Sequence, residues 1–365
     1  MLQRLESSRK KKCSGSREGS WLAQEGDEDD PNAARAERWM ILAGSRAMAE
    51  GKWIEGLTPT MPVTEAAHKV LSVRLAVVQH YLPLAVERAE EDIEYVHQLR
   101  VSTRRAGAAL RVFRAVLPNR LRRRVRRLLR RLRRAAGLAR DWDVFLLSLP
   151  EARPLHTPSG RPAGDFLLGY GLGQRQAAQL QLCQTAGEDG PTLTDTATEL
   201  LEVLEDTRDD RGPPLRTFAL QQFHPLFTQF HQSVLADPTQ PAELHQVRIR
   251  GKRLRYALEI FIPCFPEWFQ RSLYPALEQL QEVLGALQDA AVGADRLKEL
   301  ARHLRRHHPQ PWSRLQPGLE GRIKSLRAQI PALRKAFQKW RTHWLTLAEE
   351  IHQILPGLTS AAART

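Results

Sequence analysis

Two segments of this chain resemble each other, and this internal similarity constrains the possible folds more than any other feature. Residues 97–144 align without a gap with residues 245–292, at a constant offset of 148, and 14 of the 48 positions are identical. The identical pairs include His97/His245, Arg100/Arg248, Arg105/Arg253, Gly137/Gly285 and Asp141/Asp289. A repeat of this kind predicts a chain built from two related halves.

The first copy is strongly basic, yet it has the periodicity of packed helices. Residues 97–140 contain sixteen arginines and no Asp or Glu, whereas the whole protein has a net charge of +14. With 3.6 residues per turn, the apolar residues from Leu99 to Leu117 share one helical face, and those from Leu121 to Ala136 share another. Both apolar stripes need a covering partner. The sequence therefore predicts two packed helices, separated at Pro118, rather than a disordered basic arm.

Basic side chains occupy the faces opposite these stripes. In the first copy they are His97, Arg100, Arg104 and Arg111, followed by Arg123, Arg127, Arg130 and Arg134. In the second copy they are His245, Arg248, Lys252 and Arg255. The planar guanidinium group meets phosphate oxygens bidentately and keeps its charge when partly buried. We therefore predict that these rows bind a polyanion, with a solvated basic face as the structural alternative.

The segments HQLRVSTRR and HQVRIRGKR resemble the H-x-x-R-x-x-x-[RK]-R signature of the CHAD domain, the conserved histidine α-helical domain. GLARDWDV and GALQDAAV resemble the G-x-x-x-D stretches that follow that signature, and the resemblance covers roughly residues 53–355. It implies an all-α fold of two pseudo-symmetric helical bundles that form one domain with a basic central cavity. It also implies binding of inorganic polyphosphate without catalysis, at polyphosphate granules.

The signatures and the arginine rows together give the predicted polyphosphate-binding residues. They are His97, Arg100, Arg104, Arg105, Arg111, Arg123, Arg127, Arg130, Arg134, His245, Arg248, Lys252, Arg253 and Arg255. No cofactor, metal ligand or catalytic residue is predicted. Residues 245–288 hold six basic residues against four acidic ones, so we expect the second half to contribute less positive charge and the binding surface to be lopsided.

Other functions remain open from the sequence. An isoelectric point of about 10.2 and a basic helix also fit a nucleic-acid backbone. Single-strand binding normally uses several stacking rings, whereas Phe113 is the only Phe, Trp or Tyr in residues 97–140. A metal-dependent phosphohydrolase needs convergent carboxylates, and no H-E-x-x-H, P-loop or G-x-S-x-G motif is present. His97 and His245 could contact an anion, bind a metal or have a structural role.

The composition along the chain predicts its organisation. We expect a disordered extension over 1–50 with a short helix at 38–48, a first half over 60–208, a second half over 213–355 and a disordered tail over 356–365. The segment RDDRGPP (208–214) is the predicted linker between the halves. Within the halves we expect a separate short helix from Asp141 to Leu149, separate helices over 165–187 and 192–210, and a long helix or helix pair over 314–355.

Cellular location is also constrained by the sequence. No apolar run approaches the roughly 18 residues that a membrane span requires. The three cysteines are scattered and form no C-x-x-C motif, which fits a reducing cytoplasm. We therefore expect a cytoplasmic protein without a membrane partner, and the sequence leaves its oligomeric state open.

Overall fold

The computed structural model describes residues 51–207 and 212–354, where the regular structure is helical apart from one isolated β-bridge between Pro62 and Pro214. The predicted extension over 1–50, residues 208–211 of the predicted linker, residue 355 and the predicted tail over 356–365 lie outside these ranges. The first four α-helices are α1 (Val63–Glu87), α2 (Glu94–Val112), α3 (Asn119–Leu147) and α4 (Arg161–Asp206). The next four are α5 (Leu215–Leu235), α6 (Pro241–Phe261), α7 (Tyr274–His307) and α8 (Pro309–Ile354).

Short helical turns connect some of these elements. A 3₁₀ turn at Arg153–Leu155 precedes α4, another at Ile262–Cys264 follows α6, and a π-helical turn at Phe269–Leu273 leads into α7. The architecture confirms the all-α prediction. Helices α4 and α8 are both 46 residues long, and their first residues, Arg161 and Pro309, are separated by the same offset of 148. That agreement is consistent with two related halves, and the repeat itself stays a prediction from the sequence.

Helix α6, which carries the second signature, starts with a well-defined cap. Gln240 and Glu243 form a reciprocal capping box, and Pro241 occupies the first turn, where its missing N–H costs nothing. Asp237 has a φ of 49°, a left-handed conformation that reverses the chain after α5. The local sequence therefore fixes where this signature helix begins.

Two predicted helix boundaries are wrong. The predicted break at AGEDGP (186–191) lies inside α4, which continues through Pro191. The buried carboxylate of Asp189 lies 2.9 Å from Arg131 Nε of α3, so tertiary packing holds this segment helical despite its Gly and Pro. Similarly, the short helix expected from Asp141 is the last part of α3, where buried Asp143 accepts a 2.5 Å hydrogen bond from Arg175 Nε of α4.

Aromatic packing brings the two signature helices together. Phe113 follows α2 and Phe261 ends α6, and the two rings, at positions related by the 148 offset, meet edge to face with centroids 6.2 Å apart. Phe218 of α5 stacks on Phe113 at 5.8 Å, and all three side chains are buried. Such pairs stabilise beyond the area they bury, by about 0.5–1.5 kcal/mol each. The basic faces of α2 and α6 are consequently held next to each other.

A second core joins the ends of the longer helices. It contains Leu149, Leu155, Ala163 and Leu167 from the first half, and Leu297, Leu304, Leu315 and Leu319 from the second. All of these side chains are buried. Because both halves supply this core, the position of α3 relative to α7 is fixed by packing as well as by the signature helices.

Candidate anion-binding site

Five basic side chains meet where α2 and α6 lie side by side, and we name them the central cluster: Arg100, Arg104, Arg248, Lys252 and Arg255. Lys252 is half-buried at its centre. Burial, and then repulsion from the other four members, lower the pKa of its amine to about 7. The pKa of Arg104 is also lowered, first by burial, with repulsion from Arg100, Arg255 and Arg248 adding to it. The cluster is thus a concentrated positive charge built from both signatures.

Two glycines let two of these arginines lie against neighbouring helices. A Cβ atom on Gly137 of α3 would collide with the guanidinium of Arg100, and one on Gly285 of α7 would lie 3.2 Å from Arg248 Nη2. A side chain at Gly137 would therefore force the Arg100 guanidinium to move, and one at Gly285 would crowd that of Arg248. The G-x-x-x-D stretches thus provide the surfaces on which the signature arginines rest.

The aspartates of the same stretches accompany these arginines. Arg100 Nη2 lies 3.7 Å from Asp141 Oδ1. Burial raises the pKa of Asp289, while Arg248 opposes that rise and the neighbouring Asp141 adds to it. Each aspartate therefore lies within electrostatic reach of a cluster arginine. This arrangement agrees with a role in orienting guanidinium groups.

Several donors in the cluster are buried without a hydrogen-bond partner. Among the described residues, none accepts a hydrogen bond from the Nε atom of Arg104, Arg248 or Arg255, nor from Nη1 of nearby Arg140. An unsatisfied buried donor costs about 1–3 kcal/mol, and more when it is charged. A bound anion with several oxygen atoms would supply these acceptors and reduce the mutual repulsion.

The comparisons with known proteins agree with this arrangement. The family model of the CHAD domain matches residues 69–298. The chain belongs to the CHAD domain family. A crystal structure of the CHAD domain from the plant Ricinus communis superposes with a TM-score of 0.60 and 26% identity, covering 78% of this chain and 94% of that one. PptA from Streptomyces chartreusis superposes with a TM-score of 0.56 and 19% identity, covering 76% of this chain and 99% of that one, which shows the fold alone. No curated protein matches this chain.

Sequence reasoning missed two side chains that this CHAD domain places beside the cluster. The buried ring of Tyr256 lies beneath Arg255, with its centroid 5.1 Å from Arg255 Cζ. Arg133 of α3 lies one helical turn before Gly137, against which the Arg100 guanidinium packs. Burial, and then repulsion from Arg100, lower the pKa of Arg133. Arg133 lies between the apolar stripe of α3 and the ridge opposite it, so helical periodicity alone did not select it. Tyr256 aligns with Ala108 of the first copy. This difference between the two copies is the one sequence signal that could have identified Tyr256.

Not all predicted residues join the central cluster. Arg123, Arg127, Arg130 and Arg134 are exposed on α3, and we name them the outer ridge. None of these four forms an ion pair with an acidic residue in the described ranges. Of the two signature histidines, His245 is exposed, whereas His97 is half-buried. Burial lowers the pKa of His97, an effect that Glu94 opposes and Arg140, Arg104 and Arg100 reinforce.

Arg105 belongs to a different site, which we name the Glu259 hub. Glu259 of α6 is 1% exposed and accepts hydrogen bonds from Arg105 Nε at 2.9 Å and from the Tyr274 hydroxyl at 3.0 Å. Buried Arg74 of α1 lies 3.7 Å away, and it also donates to the carbonyl oxygens of Gly51 and Lys52. The charge of Arg105 is therefore neutralised within the protein.

The remaining predicted arginines meet elsewhere along the same helices. Arg111 of α2, Arg126 and Arg133 of α3 and Arg253 of α6 form what we name the end cluster. Partial burial, followed by repulsion from Arg253, Arg126 and Arg133, lowers the pKa of Arg111. All four side chains remain accessible to solvent, and none pairs with an Asp or Glu of the described ranges.

The described ranges hold neither a metal-binding cluster of side chains nor a helix suited to cross a membrane. There, no three His, Cys, Asp or Glu side chains come close enough together to hold a metal ion. In the same part of the chain, no helix combines the length and the apolar character that crossing a membrane would require. The prediction of a site without metal stays a prediction.

Proposed function

We propose that this CHAD domain binds inorganic polyphosphate at the central cluster. The observation that carries the proposal is the position of Lys252, whose amine is surrounded by Arg100, Arg104, Arg248 and Arg255 and has its pKa lowered to about 7. A site that gathers five cations in partial burial is costly without an anion. The family membership supports the same ligand class through the resemblance of its signatures.

The chemistry of polyphosphate suits these donors. Every phosphate unit carries negative charge and oxygen acceptors, and the single chain is thinner than a nucleic-acid duplex. Arginine offers donors in a fixed fork, and charge-assisted hydrogen bonds are roughly twice as strong as neutral ones. The unpartnered Nε atoms of Arg104, Arg248 and Arg255 would gain acceptors on binding.

The proposed binding is not catalytic. The carboxylates beside the cluster are each next to a cation: Asp141 and Asp289 accompany Arg100 and Arg248, and Glu278 lies 3.5 Å from Arg255 Nη1. These cations oppose a divalent metal ion. Metal-assisted phosphoryl hydrolysis needs convergent carboxylates free to hold the ion. Incubation with long-chain polyphosphate and Mg²⁺ should release no orthophosphate above a control without protein. We further propose a cytoplasmic location at polyphosphate granules, which fluorescence co-localisation would test.

The second candidate ligand is a nucleic-acid backbone, which the exposed outer ridge favours. A duplex is too wide to enter a half-buried cluster, so it would contact mainly exposed arginines. Competition between long-chain polyphosphate and duplex DNA, at equal total charge and equal salt, separates the two. We expect polyphosphate to displace DNA at much lower charge concentration. Preferential retention of DNA would overturn the proposal.

A further inference from the structure

The contact between α2 and α6 has two ends that differ in charge. The offset of 148 relates Arg105 to Arg253, and Arg111 to Glu259. At one end Arg105 pairs with Glu259 at 2.9 Å. At the other end the offset-related counterpart of this pair is Arg253 with Arg111, and repulsion from Arg253 contributes to the lowered pKa of Arg111. The pair Arg105–Glu259 is therefore attractive, whereas the corresponding pair Arg253–Arg111 is repulsive.

At the Glu259 end, the protein neutralises its own cations. Glu259 forms ion pairs with both Arg105 and Arg74, as described above. Close by, the carboxylate of Glu278 lies 3.5 Å from Arg255 Nη1 and 2.9 Å from Lys52 Nζ. A polyanion extending in this direction would meet carboxylates, which repel it.

At the opposite end, four arginines have no internal counter-charge among the described residues. Arg133 connects them to the central cluster, because it lies one helical turn before Gly137, against which the Arg100 guanidinium packs. Repulsion from Arg100 contributes to the lowered pKa of Arg133, and Arg133 in turn contributes to that of Arg111. A continuous run of cations therefore extends from Arg100 through Arg133 to Arg111, Arg126 and Arg253. Such a run attracts a long anion along its whole length.

We propose that a bound polyphosphate chain leaves the central cluster in one direction only, toward the end cluster. There its phosphate groups take the place that the carboxylate of Glu259 has at the opposite end. This inference rests on the proposed function, because it describes the path of the same ligand. It predicts that the end cluster contributes to the affinity for long chains and not to that for the shortest ones.

The first test compares two double variants of equal charge. Arg126→Ala with Arg253→Ala removes two exposed members of the end cluster. Arg120→Ala with Arg124→Ala removes two exposed arginines of α3 that belong to neither cluster. For long-chain polyphosphate, we expect the first variant to bind roughly tenfold or more weaker than the second, since each lost contact is a charged hydrogen bond. For tripolyphosphate, which fills only the central cluster, the two variants should bind within about twofold of each other on the same grounds.

The second test introduces a carboxylate into the end cluster, so that this end resembles the opposite one, where Glu259 neutralises Arg105. Arg111→Glu places an acid beside Arg126, Arg133 and Arg253, as Glu259 lies beside Arg105. The unliganded protein should melt higher, by roughly 2–4 °C, because three repulsions become attractions. Long-chain affinity should nevertheless fall well below that of the charge-matched variant Arg120→Glu. A residue with only a structural role would not raise stability and weaken binding together.

The outcomes separate this inference from the proposed function. If the wild-type protein binds neither tripolyphosphate nor long chains, the proposed function is wrong. If the wild-type protein binds long chains and the end-cluster double variant equals its control, the one-directional path is wrong while the function stands. A lower melting temperature for Arg111→Glu would also contradict the one-directional path, because it would show that a carboxylate does not relieve repulsion among the arginines of the end cluster.

Discussion

Arg105 Nε donates a 2.9 Å hydrogen bond to Glu259, across 154 residues of sequence and between the two signature helices. Both groups are charged, and the glutamate is buried. A buried ion pair of this kind fixes which faces of α2 and α6 meet, since removing either partner leaves an uncompensated charge.

The Glu259 hub should therefore be critical for folding. We expect Glu259→Gln to lower the free energy of unfolding by about 3–5 kcal/mol, because buried Arg74 and half-buried Arg105 would remain without a carboxylate. Urea denaturation followed by circular dichroism measures this change. The exposed Glu282 offers a control, and Glu282→Gln should change stability by less than about 0.5 kcal/mol. Similar losses for both variants would contradict the structural importance of the hub.

The surface under Arg100 should matter for binding more than for stability. We expect Gly137→Ala to displace the Arg100 guanidinium and to weaken polyphosphate binding several-fold, while the added helix propensity, up to about 1 kcal/mol, offsets part of the steric cost. Gly173→Ala is the control, since its new methyl group would meet no neighbouring atom. Isothermal titration with polyphosphate measures both variants. Unchanged affinity in Gly137→Ala would mean that the position of Arg100 is not important.

The central cluster should contribute more to affinity than the outer ridge. Arg104→Ala with Arg248→Ala should cost far more polyphosphate affinity than Arg123→Ala with Arg127→Ala, although both remove two charges. On binding, we expect the half-buried arginines to make charged hydrogen bonds to phosphate, of about 1.5–3 kcal/mol each, whereas exposed charges act mainly through screened attraction. Binding curves at one salt concentration decide the matter. Equal losses would reduce the site to a diffuse basic surface.

The structure also determines which arginines of α3 can serve as controls for the end-cluster variants. Arg131 is unsuitable although it lies on the same helix, because it pairs with Glu188 at 2.8 Å and Asp189 at 2.9 Å. Arg120 and Arg124 are exposed and belong to neither cluster, so their replacement should leave binding close to that of the wild type.

Polyphosphate binding should be linked to proton uptake near neutral pH. The pKa of Lys252 is lowered from 10.5 to about 7 in the unliganded fold, chiefly by burial. A bound anion raises that pKa, so affinity should fall as pH increases above about 7, where the free amine has lost its proton. Titration calorimetry in buffers of different ionisation enthalpy measures the uptake. Lys252→Arg should keep the affinity and lose most of this pH dependence.

The same group makes stability depend on pH in the unliganded protein. The pKa of Lys252 is lower in the folded state than in the unfolded state. Its destabilising contribution to the folding free energy therefore has its full size below pH 7. This cost is relieved as pH rises from about 7 toward 10.5, where the unfolded state binds more protons. The difference in unfolding free energy between wild type and Lys252→Met should therefore shrink over that interval. A constant difference would mean that Lys252 titrates normally.

The sequence by itself determined the helical class, the two signature segments and the family. These features depend on local periodicity and on residue types at fixed spacing, which are properties of the chain before it folds. It also placed Arg100, Arg104, Arg248, Lys252 and Arg255 on the polar faces of the signature helices. The expectation of a lopsided distribution of charge rested on composition alone.

The tertiary structure decided which of these charges remain available to a ligand. Arg105 and Arg104 are neighbours in one signature, yet Arg105 pairs with Glu259 while Arg104 joins the central cluster. No local pattern predicts a partner 154 positions away, because that contact exists only once α2 packs against α6. In the same way, packing against α3 kept α4 helical through Pro191, where local propensity predicts a break. Local chemistry therefore specified the helices and their basic faces, and long-range packing determined which cations are neutralised.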